Sequence, residues 1–376
     1  MDEFVLCRHC LGRNGRNRRA KLCGETECFV CRGLFLEIES LVSDAVKKLD
    51  GVEWKTFSVS SAIPREVLIR EEEVLDYGPL SDTLSIKNEL NGILAKRISS
   101  ATGKKQSALN PDISIEFDFA GKTASVAKNP LFVFGRYNKF SRNISQSKWH
   151  CKRCGGRGCK FCGGTGRMYV SIEEILSSFF IPKAEAMGAS FHAAGREDID
   201  ARMLGNGRPF ILELKEPKKR SLNLKGIEKE VNGDKRINAR DLAFVRKEDI
   251  PLVTNSRFDK DYCAILDVDK KISKGDVKKI KKLEGRMIAQ KTPMRVIHRR
   301  ADIVRKRRIK KLLPTIKNGR IHLFLTVEAG TYVKEFINGD GGRTKPSIST
   351  TLGCRAECKE LDVLKVHDDI LRLVLC

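Results

Sequence analysis

The stretch that decides the fold of this 376-residue chain is Ala194-Gly-Arg-Glu-Asp-Ile-Asp-Ala-Arg-Met-Leu-Gly-Asn-Gly-Arg-Pro-Phe210. It combines acids, arginines and three glycines in a turn-rich segment that runs into the apolar residues Phe210-Ile-Leu-Glu-Leu214. Acidic groups, basic groups and backbone freedom this close together indicate an active-site loop that enters a strand. A salt-bridged surface turn would show the same charge pattern, because surface ion pairs are common and contribute little.

The charge of the chain points to a polyanionic partner. Net charge is +24, and residues 271–320 hold 19 Lys or Arg against three Asp or Glu, a difference of +16. A field of this size attracts nucleic acid. A membrane surface is less favoured as the partner, because no amphipathic helix with a bulky apolar face accompanies the charge. No apolar run approaches the roughly 18 residues of a membrane span, and nothing near the start resembles an export signal. We therefore expect a cytoplasmic, monomeric protein without a membrane partner.

Eight of the 13 cysteines form four Cys-x-x-Cys pairs, which is metal spacing. Two pairs complete a tetrahedral site, and four soft sulfur ligands favour structural zinc. The alternatives are reduced buried cysteines for the first cluster and a redox dithiol for the second, whose four-residue gap between pairs is short for one site. The predicted ligands are Cys7, Cys10, Cys28 and Cys31 in the first cluster, and Cys151, Cys154, Cys159 and Cys162 in the second.

Residues 50–170 read as mixed strands and helices. Ile113–Phe119 alternates apolar and polar residues, as a half-buried strand does, and Leu131–Phe134 indicates a second strand. The basic segment that follows carries Arg136, Lys139 and Arg142, which we expect to contact RNA phosphates. Beside them, Tyr137 or Trp149 is expected either to stack on a base or to pack in the core. Ser171 is a predicted N-cap of the next helix.

Three classes of RNA-directed chemistry are excluded by their missing motifs. None of the six histidines is followed two positions later by Glu, as a zinc deaminase requires. Gly205-Asn-Gly207 precedes a strand instead of following one, so it is not a dinucleotide or methyl-donor turn. No phosphate-binding Gly-x-x-x-x-Gly-Lys loop is present. What remains is carboxylate chemistry with no organic cofactor.

Gly195-Arg-Glu-Asp198 resembles the Arg-x-Asp motif of pseudouridine synthases, in which the Asp is essential. The whole run to Phe210 is similar to the THUMP-containing tRNA pseudouridine synthases of archaea and eukaryotes, which modify the TΨC arm. The resemblance covers nearly the full chain, since the cysteine pairs, Asn129–Lys139, Trp149–Gly166 and Gly330–Phe336 match as well. It implies uridines 54 and 55 of tRNA as targets.

The same resemblance implies an α+β, multidomain protein. We expect a zinc-binding segment over residues 1–48, a THUMP-type RNA-binding domain with the second cysteine cluster over 49–172, and a catalytic domain over 173–376. The catalytic domain would have the pseudouridine-synthase fold, a mixed central sheet with flanking helices. Within it, residues 271–320 are expected to be a mobile, tRNA-gripping element that includes Arg299 and Arg300, with Pro293 at a turn.

Residue roles follow from the family motif. Asp198 would act at the ribose as nucleophile or base, and Lys334, delivered from a separate strand, would keep it ionised. Lys334 stands where many relatives carry Arg, and a lysine lacks the bidentate fork. Arg196 would fill the vacated base stack, Tyr262 would stack on the flipped uracil and Tyr332 would line the pocket. A final strand, Leu371–Leu375, would exclude water.

Two alternatives stay open at this point. Asp200, two residues away, is a rival for Asp198, and the Arg-x-Asp register of the family motif selects Asp198. The protein could also be a non-catalytic, zinc-containing RNA-binding or RNA-chaperone protein, because its knuckles and basic loops would serve that function equally well.

Overall fold

The computed structural model of the chain describes residues 4–13, 20–77 and 84–369. The chain divides into two compact units. Unit 1 comprises Met1–Leu131, Lys183–Gly188 and Lys215–Leu222, and unit 2 comprises Phe132–Pro182, Ala189–Leu214 and Asn223–Cys376. Over the described ranges, no helix has both the length and the apolar character that a membrane span requires.

Unit 1 is built on a four-stranded sheet in the order β4-β3-β5-β6 and a two-stranded parallel pair, β1-β2. Its elements are β1 Phe4–Leu6, α1 Arg8–Arg13, β2 Ala20–Leu22, α2 Ile38–Lys48, β3 Thr56–Ala62, α3 Arg65–Leu75, α4 Ile86–Thr102, β4 Lys105–Gln106, β5 Ile113–Asp118 and β6 Thr123–Lys128. The predicted alternation places Ile113, Ile115 and Phe117 of β5 in the core.

Later chain segments complete unit 1. The backbone N–H of Glu53 donates to the carbonyl of Lys218 at 2.7 Å. Arg220 lies in the second returning segment, where its Nε is 2.8 Å from a carboxylate oxygen of Asp112 and its Nη1 donates to the carbonyl of Asn129. Unit 1 is therefore discontinuous in sequence.

Unit 2 contains a ten-stranded mixed sheet, as predicted, in the order β12-β7-β11-β18-β13-β16-β15-β14-β17, with β10 paired to β11. β11 and β18 are parallel, while β13 is antiparallel to both β16 and β18. The strands of unit 2, of which β8 and β9 form a separate pair, are β7 Leu131–Lys139, β8 Trp149–His150, β9 Arg167–Tyr169, β10 Gly188–Ala193, β11 Ala201–Lys215, β12 Ile237–Val245, β13 Lys260–Val268, β14 Met287–Lys291, β15 Val304–Lys317, β16 Arg320–Val327, β17 Thr344–Lys345 and β18 Ala356–Val366. Its helices are α5 Ile172–Ala184, α6 Leu224–Val231, α7 Ile250–Thr254, α8 Lys274–Lys281, α9 Val333–Asn338 and α10 Ile348–Leu352.

One sequence expectation about local structure is corrected. Lys334 was expected on a strand, but it lies in the helix α9, because Val333, Phe336 and Ile337 are buried with helical spacing. The basic segment 271–320 consists largely of regular elements, α8, β14, β15 and a 3₁₀ helix over Met294–Arg299 that begins after Pro293. The predicted strand Leu371–Leu375 lies outside the described residues.

Strands β11 and β13 place the site. Phe210, Ile211, Leu212 and Leu214 of β11 are fully buried, so the loop before this strand has a rigid support. On one face of β13, Ala264 and Leu266 lie in the core. Lys260 and Tyr262, earlier on the same face, line a cavity.

Candidate active site

The loop Ala194–Asp200, which we call the catalytic loop, connects β10 to β11, and side chains from other segments hold five of its carbonyls. Arg208 donates to the carbonyl of Ala194 at 2.7 Å, and Gln146 donates to that of Gly195 at 2.8 Å. The ammonium of Lys139 donates to the carbonyls of Asp198 and Ile199 at 3.0 and 2.8 Å, and Arg142 donates to that of Asp200 at 3.0 Å. The backbone of this loop is therefore fixed by its surroundings.

A buried ion pair lies directly beneath the catalytic loop. Arg208 Nε is 2.8 Å from Oε2 of Glu197, and their side chains are only 1% and 2% exposed. The hydroxyl of Tyr137 donates to Glu197 at 2.9 Å and accepts from Gln146 at 2.8 Å. Burial opposes the charge of Arg208, but the Glu197 carboxylate, with smaller contributions from Tyr137 and Tyr262, raises the pKa of Arg208. Glu197 is thus an anchor, and its neighbour Asp198 is the residue that turns outward.

Asp198 reaches a cavity of about 420 Å³ and contacts two cations there. Arg295 Nη1 donates to Oδ1 of Asp198 at 2.7 Å, while Lys334 Nζ lies 3.5 Å from Oδ2. Lys334 is closer to Asp200, whose two carboxylate oxygens accept from it at 2.7 Å. Asp198 lines the cavity and Asp200 does not. The shortest contact of Asp198 is therefore with a residue of the 3₁₀ helix Met294–Arg299 that the sequence did not single out.

Arg295 is itself held by a second carboxylate. Its Nε donates to Oε1 of Glu335 at 2.6 Å, and the Glu335 side chain is 5% exposed. Burial opposes the charge of Arg295, but Glu335 and Asp198 raise its pKa. The guanidinium consequently bridges a buried acid and the acid that faces the cavity, a geometry for which its fork is suited.

Two tyrosines line the same cavity, as the sequence predicted. Burial raises the pKa of Tyr262 to about 12, so its phenol is neutral. Lys260 lies two residues earlier on β13, and burial together with the Arg208 charge lowers its pKa to about 8. The backbone of Tyr332 is gripped by the buried amide of Gln290, which accepts from its N–H at 2.9 Å and donates to its carbonyl at 3.0 Å. The Tyr332 hydroxyl accepts from Arg300 at 3.2 Å.

The cavity is strongly cationic. Among the described residues, two carboxylates line it, Glu197 and Asp198, together with nine basic side chains: Arg196, Arg208, Arg257, Lys260, Arg295, Arg300, Arg305, Arg307 and Lys334. Such a lining attracts an anionic ligand, and Asp198 is the outward-facing carboxylate within it.

Three of the residues expected to contact RNA are engaged within the protein. Lys139 is fully buried, with its ammonium on backbone carbonyls. Arg136 is 6% exposed and pairs with Asp368. Arg142 is 28% exposed and pairs with Asp362 at 2.7 Å. We therefore correct the interpretation of Lys139 and Arg136: sequence position beside a predicted strand did not reveal that they point inward. Arg142 keeps part of its surface exposed, so its contact with RNA stays a prediction.

The other predicted contact residues lie at or near the cavity. Arg300 and Arg196 line it, and the guanidinium carbon of Arg196 is 5.5 Å from the centre of the Trp149 ring. Arg299 ends the 3₁₀ helix, and its side chain lies outside the described part of the chain.

The four cysteines of the first predicted cluster lie together in unit 1. Cys7, Cys10, Cys28 and Cys31 are at most 1% exposed, with Sγ atoms within 4.8 Å of one another. Sγ of Cys7 is 3.5 Å from that of Cys31, against the roughly 3.8 Å of a tetrahedral zinc–thiolate site. Arg13 Nη2 donates to Cys10 Sγ at 3.4 Å, which favours an anionic sulfur. The donor set fits a metal ion.

The second cluster also comes together, in spite of its short spacing. Sγ of Cys151 is 3.9 Å from that of Cys159, and Cys159 and Cys162 are 3.7 Å apart. Desolvation raises the pKa of the Cys162 thiol, but N–H groups of Cys159 and Gly166 outweigh it and lower the pKa to about 6. Gly166 has φ +69°, and a Cβ there would lie 2.2 Å from a backbone oxygen. Glycine is what lets four thiols converge within so short a stretch.

Sequence reasoning missed several residues of the site, namely Glu197 and Arg208, Gln146, Gln290, Arg295 and Glu335. One signal was available for the last two: Glu335 follows Lys334, and Arg295 lies in the basic segment 271–320 that was expected to contact tRNA. Glu197 carried no signal, because an acid beside Asp198 in a loop looks like any surface charge.

Comparisons with known families bear on this site. The family model described as "Pus10, C-terminal" matches residues 132–367, and the one described as "Pus10 THUMP domain, archaeal" matches residues 41–118. A tRNA pseudouridine synthase Pus10 of Methanocaldococcus jannaschii is 39% identical over 349 residues, which are 92% of this chain and 76% of that protein. The protein of the same description from Archaeoglobus fulgidus is 39% identical over 364 residues, 96% of this chain and 99% of its own length.

The fold, the Arg196-x-Asp198 loop and these matches define a pseudouridine synthase, which is an isomerase. The chain belongs to the Pus10 family. Among solved structures, the crystal structure of a Cbf5-Nop10-Gar1 complex aligns with 61% of this chain and 48% of that chain. Its TM-score of 0.33 and 14% identity are too low to carry an argument.

Proposed function

We propose that this protein converts uridines 54 and 55 in the TΨC arm of tRNA to pseudouridine, with Asp198 as the catalytic residue. The observation that supports it most directly is the outward Asp198 carboxylate, 2.7 Å from Arg295, on a loop whose carbonyls are held in place. The family relatives are named tRNA pseudouridine synthases, which supports tRNA as the substrate.

The reaction is an isomerisation at one nucleotide. The bond between C1′ and N1 breaks, the uracil turns, and a bond forms between C1′ and C5, while C5 loses a proton and N1 gains one. Asp198 acts at the ribose, either as a nucleophile or as a base. Arg295 and Lys334 would stabilise its negative charge, because both lie within 3.5 Å of its oxygens.

The target uridine must leave its stack before Asp198 can reach the ribose. The cavity of about 420 Å³ has room for a nucleoside. In our proposal Tyr262 stacks on the flipped uracil, Tyr332 closes the other side and Arg196 occupies the position that the base has left. The cationic lining would hold the flanking phosphates, with Arg300 a candidate contact on the Tyr332 side.

We further propose that both cysteine clusters hold structural zinc. Their thiol separations of 3.5–3.9 Å support it, as does the preference of zinc for four sulfur ligands. Metal analysis of the purified protein is expected to give about two zinc ions per chain, and Cys7→Ser about one. A native protein without metal would contradict both assignments.

The decisive experiment compares Asp198→Asn with Asp200→Asn. Both changes remove one negative charge from the same loop, but only Asp198 lines the cavity. Each variant is incubated with an unmodified tRNA transcript, and pseudouridine is mapped at nucleotide resolution. We expect Asp198→Asn to bind tRNA and form no pseudouridine, and Asp200→Asn to retain conversion at both positions.

The outcomes separate the competing hypotheses. Conversion by Asp198→Asn would refute the assignment of the catalytic residue. Binding without conversion by the wild-type protein would favour the non-catalytic RNA-binding alternative. Conversion at one position alone would restrict the target to that uridine.

A further inference from the structure

The second cysteine cluster lies in an insertion, residues 140–171, between β7 and α5. The insertion starts and ends at one place, because Ser145 N donates to the carbonyl of Val170 at 3.0 Å and Ile172 N donates to that of Ser145 at 2.9 Å. We call this place, residues 145–150 with 167–172, the neck. There β8 and β9 pair with Trp149 opposite Tyr169. The cysteines follow directly, so the neck and the metal-binding turns are continuous.

Two side chains of the neck reach the catalytic loop. Gln146 donates to the carbonyl of Gly195 at 2.8 Å. The Trp149 ring has the Arg196 guanidinium carbon 5.5 Å from its centre, within cation–π range. Tyr169 backs the same ring edge-on, with centroids 5.7 Å apart and an angle of 72°. The next residues of the loop are Glu197 and Asp198.

The cysteine-bearing turns of the insertion have almost no apolar core of their own. In the fully described stretch 152–165, Cys154 is the one buried hydrophobic side chain, and Phe161 is 51% exposed. A segment that buries so little apolar surface cannot offset the entropy of ordering it. Its order must come from the cross-link that four thiolates and a metal ion provide.

We propose that the second cysteine site is a positioning device for the catalytic loop: Cys151, Cys154, Cys159 and Cys162, cross-linked by metal, order the neck, and Trp149 then holds Arg196 in place. The inference rests on the proposed function for the role of Arg196 at the substrate. It makes Trp149 a positioning residue, which acts through Arg196 without touching the reacting atoms.

Fluorescence tests the structural half without any reaction. The chain has two tryptophans, so Trp54→Phe leaves Trp149 as the sole emitter. In this background we expect Cys159→Ser to lose metal and to make Trp149 more accessible to acrylamide. Cys354→Ser, a half-buried cysteine of the same unit outside the cluster, is the control and should change neither. Unchanged Trp149 quenching in a metal-depleted Cys159→Ser protein would overturn the proposal.

Single-turnover kinetics test the functional half. We expect Trp149→Leu, which keeps all four cysteines, to retain its metal and to lower the conversion rate by about 10–100-fold. Trp149→Phe keeps an aromatic face for the guanidinium and should recover most of the rate. Because Trp149 acts through Arg196, Trp149→Leu added to Arg196→Ala should cost little more than Arg196→Ala alone.

Additive losses of conversion rate in the Trp149/Arg196 double variant would refute the proposal that Trp149 acts through Arg196. So would a Trp149→Phe protein as slow as Trp149→Leu. If the wild-type protein made no pseudouridine, the proposed function would fail, whereas the fluorescence comparison would still decide whether the cysteine site orders Trp149.

Discussion

The buried Glu197–Arg208 pair supports a quantitative prediction. Glu197→Gln keeps the shape of the side chain but leaves the Arg208 guanidinium, 1% exposed, without its counter-ion. Breaking a buried pair on one side costs about 3–5 kcal/mol. Each kcal/mol lowers the melting temperature of a 150–250-residue domain by about 2–4 °C, so we expect the unfolding of unit 2 to shift down by roughly 6–20 °C.

Glu213→Gln is the matched control for this measurement. It is the same chemical change on β11, the strand that carries Arg208, but Glu213 is 21% exposed and its partner His192 is 27% exposed, 2.9 Å away. Such a partly solvated pair is worth about 0–1 kcal/mol. Thermal unfolding followed by circular dichroism should therefore separate the two variants clearly.

A double variant tests whether the pair itself is the cause. Arg208→Met removes the stranded charge, so Glu197→Gln with Arg208→Met should be less destabilised than the sum of the single changes, by about 1–3 kcal/mol. The pair does not anchor the catalytic loop as we describe if Glu197→Gln and the Glu213→Gln control have the same melting temperature. The same follows if the stability losses of Glu197→Gln and Arg208→Met add in the double variant.

Three further predictions concern single side chains. Arg295→Gln should slow single-turnover conversion by about 10–100-fold, and Arg295→Lys should recover only part of it, because lysine cannot reach Asp198 and Glu335 together. Lys139→Met should lower the conversion rate while the affinity for tRNA, measured by filter binding, is retained, because the Lys139 ammonium holds the loop backbone. Lost affinity at an unchanged conversion rate would instead support the original prediction that Lys139 contacts a phosphate. The hydroxyl of Ser221, with the backbone N–H groups of Ser221 and Arg220, lowers the pKa of Glu53 to about 2 from its ordinary 4.5. Stability is therefore lost as pH falls from about 4.5 toward 2, and Glu53→Gln should flatten this acid dependence in pH-dependent melts.

The sequence predicted those features that local patterns encode. The apolar run Phe210–Leu214 is the buried end of β11, which begins at Ala201 directly after the loop that carries Arg196 and Asp198. The cysteine pairs converge in two groups of four. Each of these depends on residues close in sequence, with the family resemblance supplying the register of Asp198.

What the sequence did not reveal depends on long-range partners. Lys139 looks like a phosphate contact until the loop 59 residues later places carbonyls around its ammonium. Arg295 lies 97 residues from Asp198 along the chain, and no local pattern pairs them. The helix around Lys334 did have a local signal, because the apolar spacing of Val333, Phe336 and Ile337 is helical. That helix has only six residues, too few for the spacing to outweigh the strand-like look of the motif.

The discontinuity of unit 1 has a consequence for protein synthesis. Its first 131 residues leave the ribosome early, but Lys218 and Arg220, which hold Glu53 and Asp112, come about ninety residues later. At 5–20 residues per second, the delay is roughly 5–20 s. Until then unit 1 is incomplete, and Asp198 and its loop are synthesised before the second returning segment. A fragment truncated at Leu131 would lack both returning segments and stay in that unfinished state.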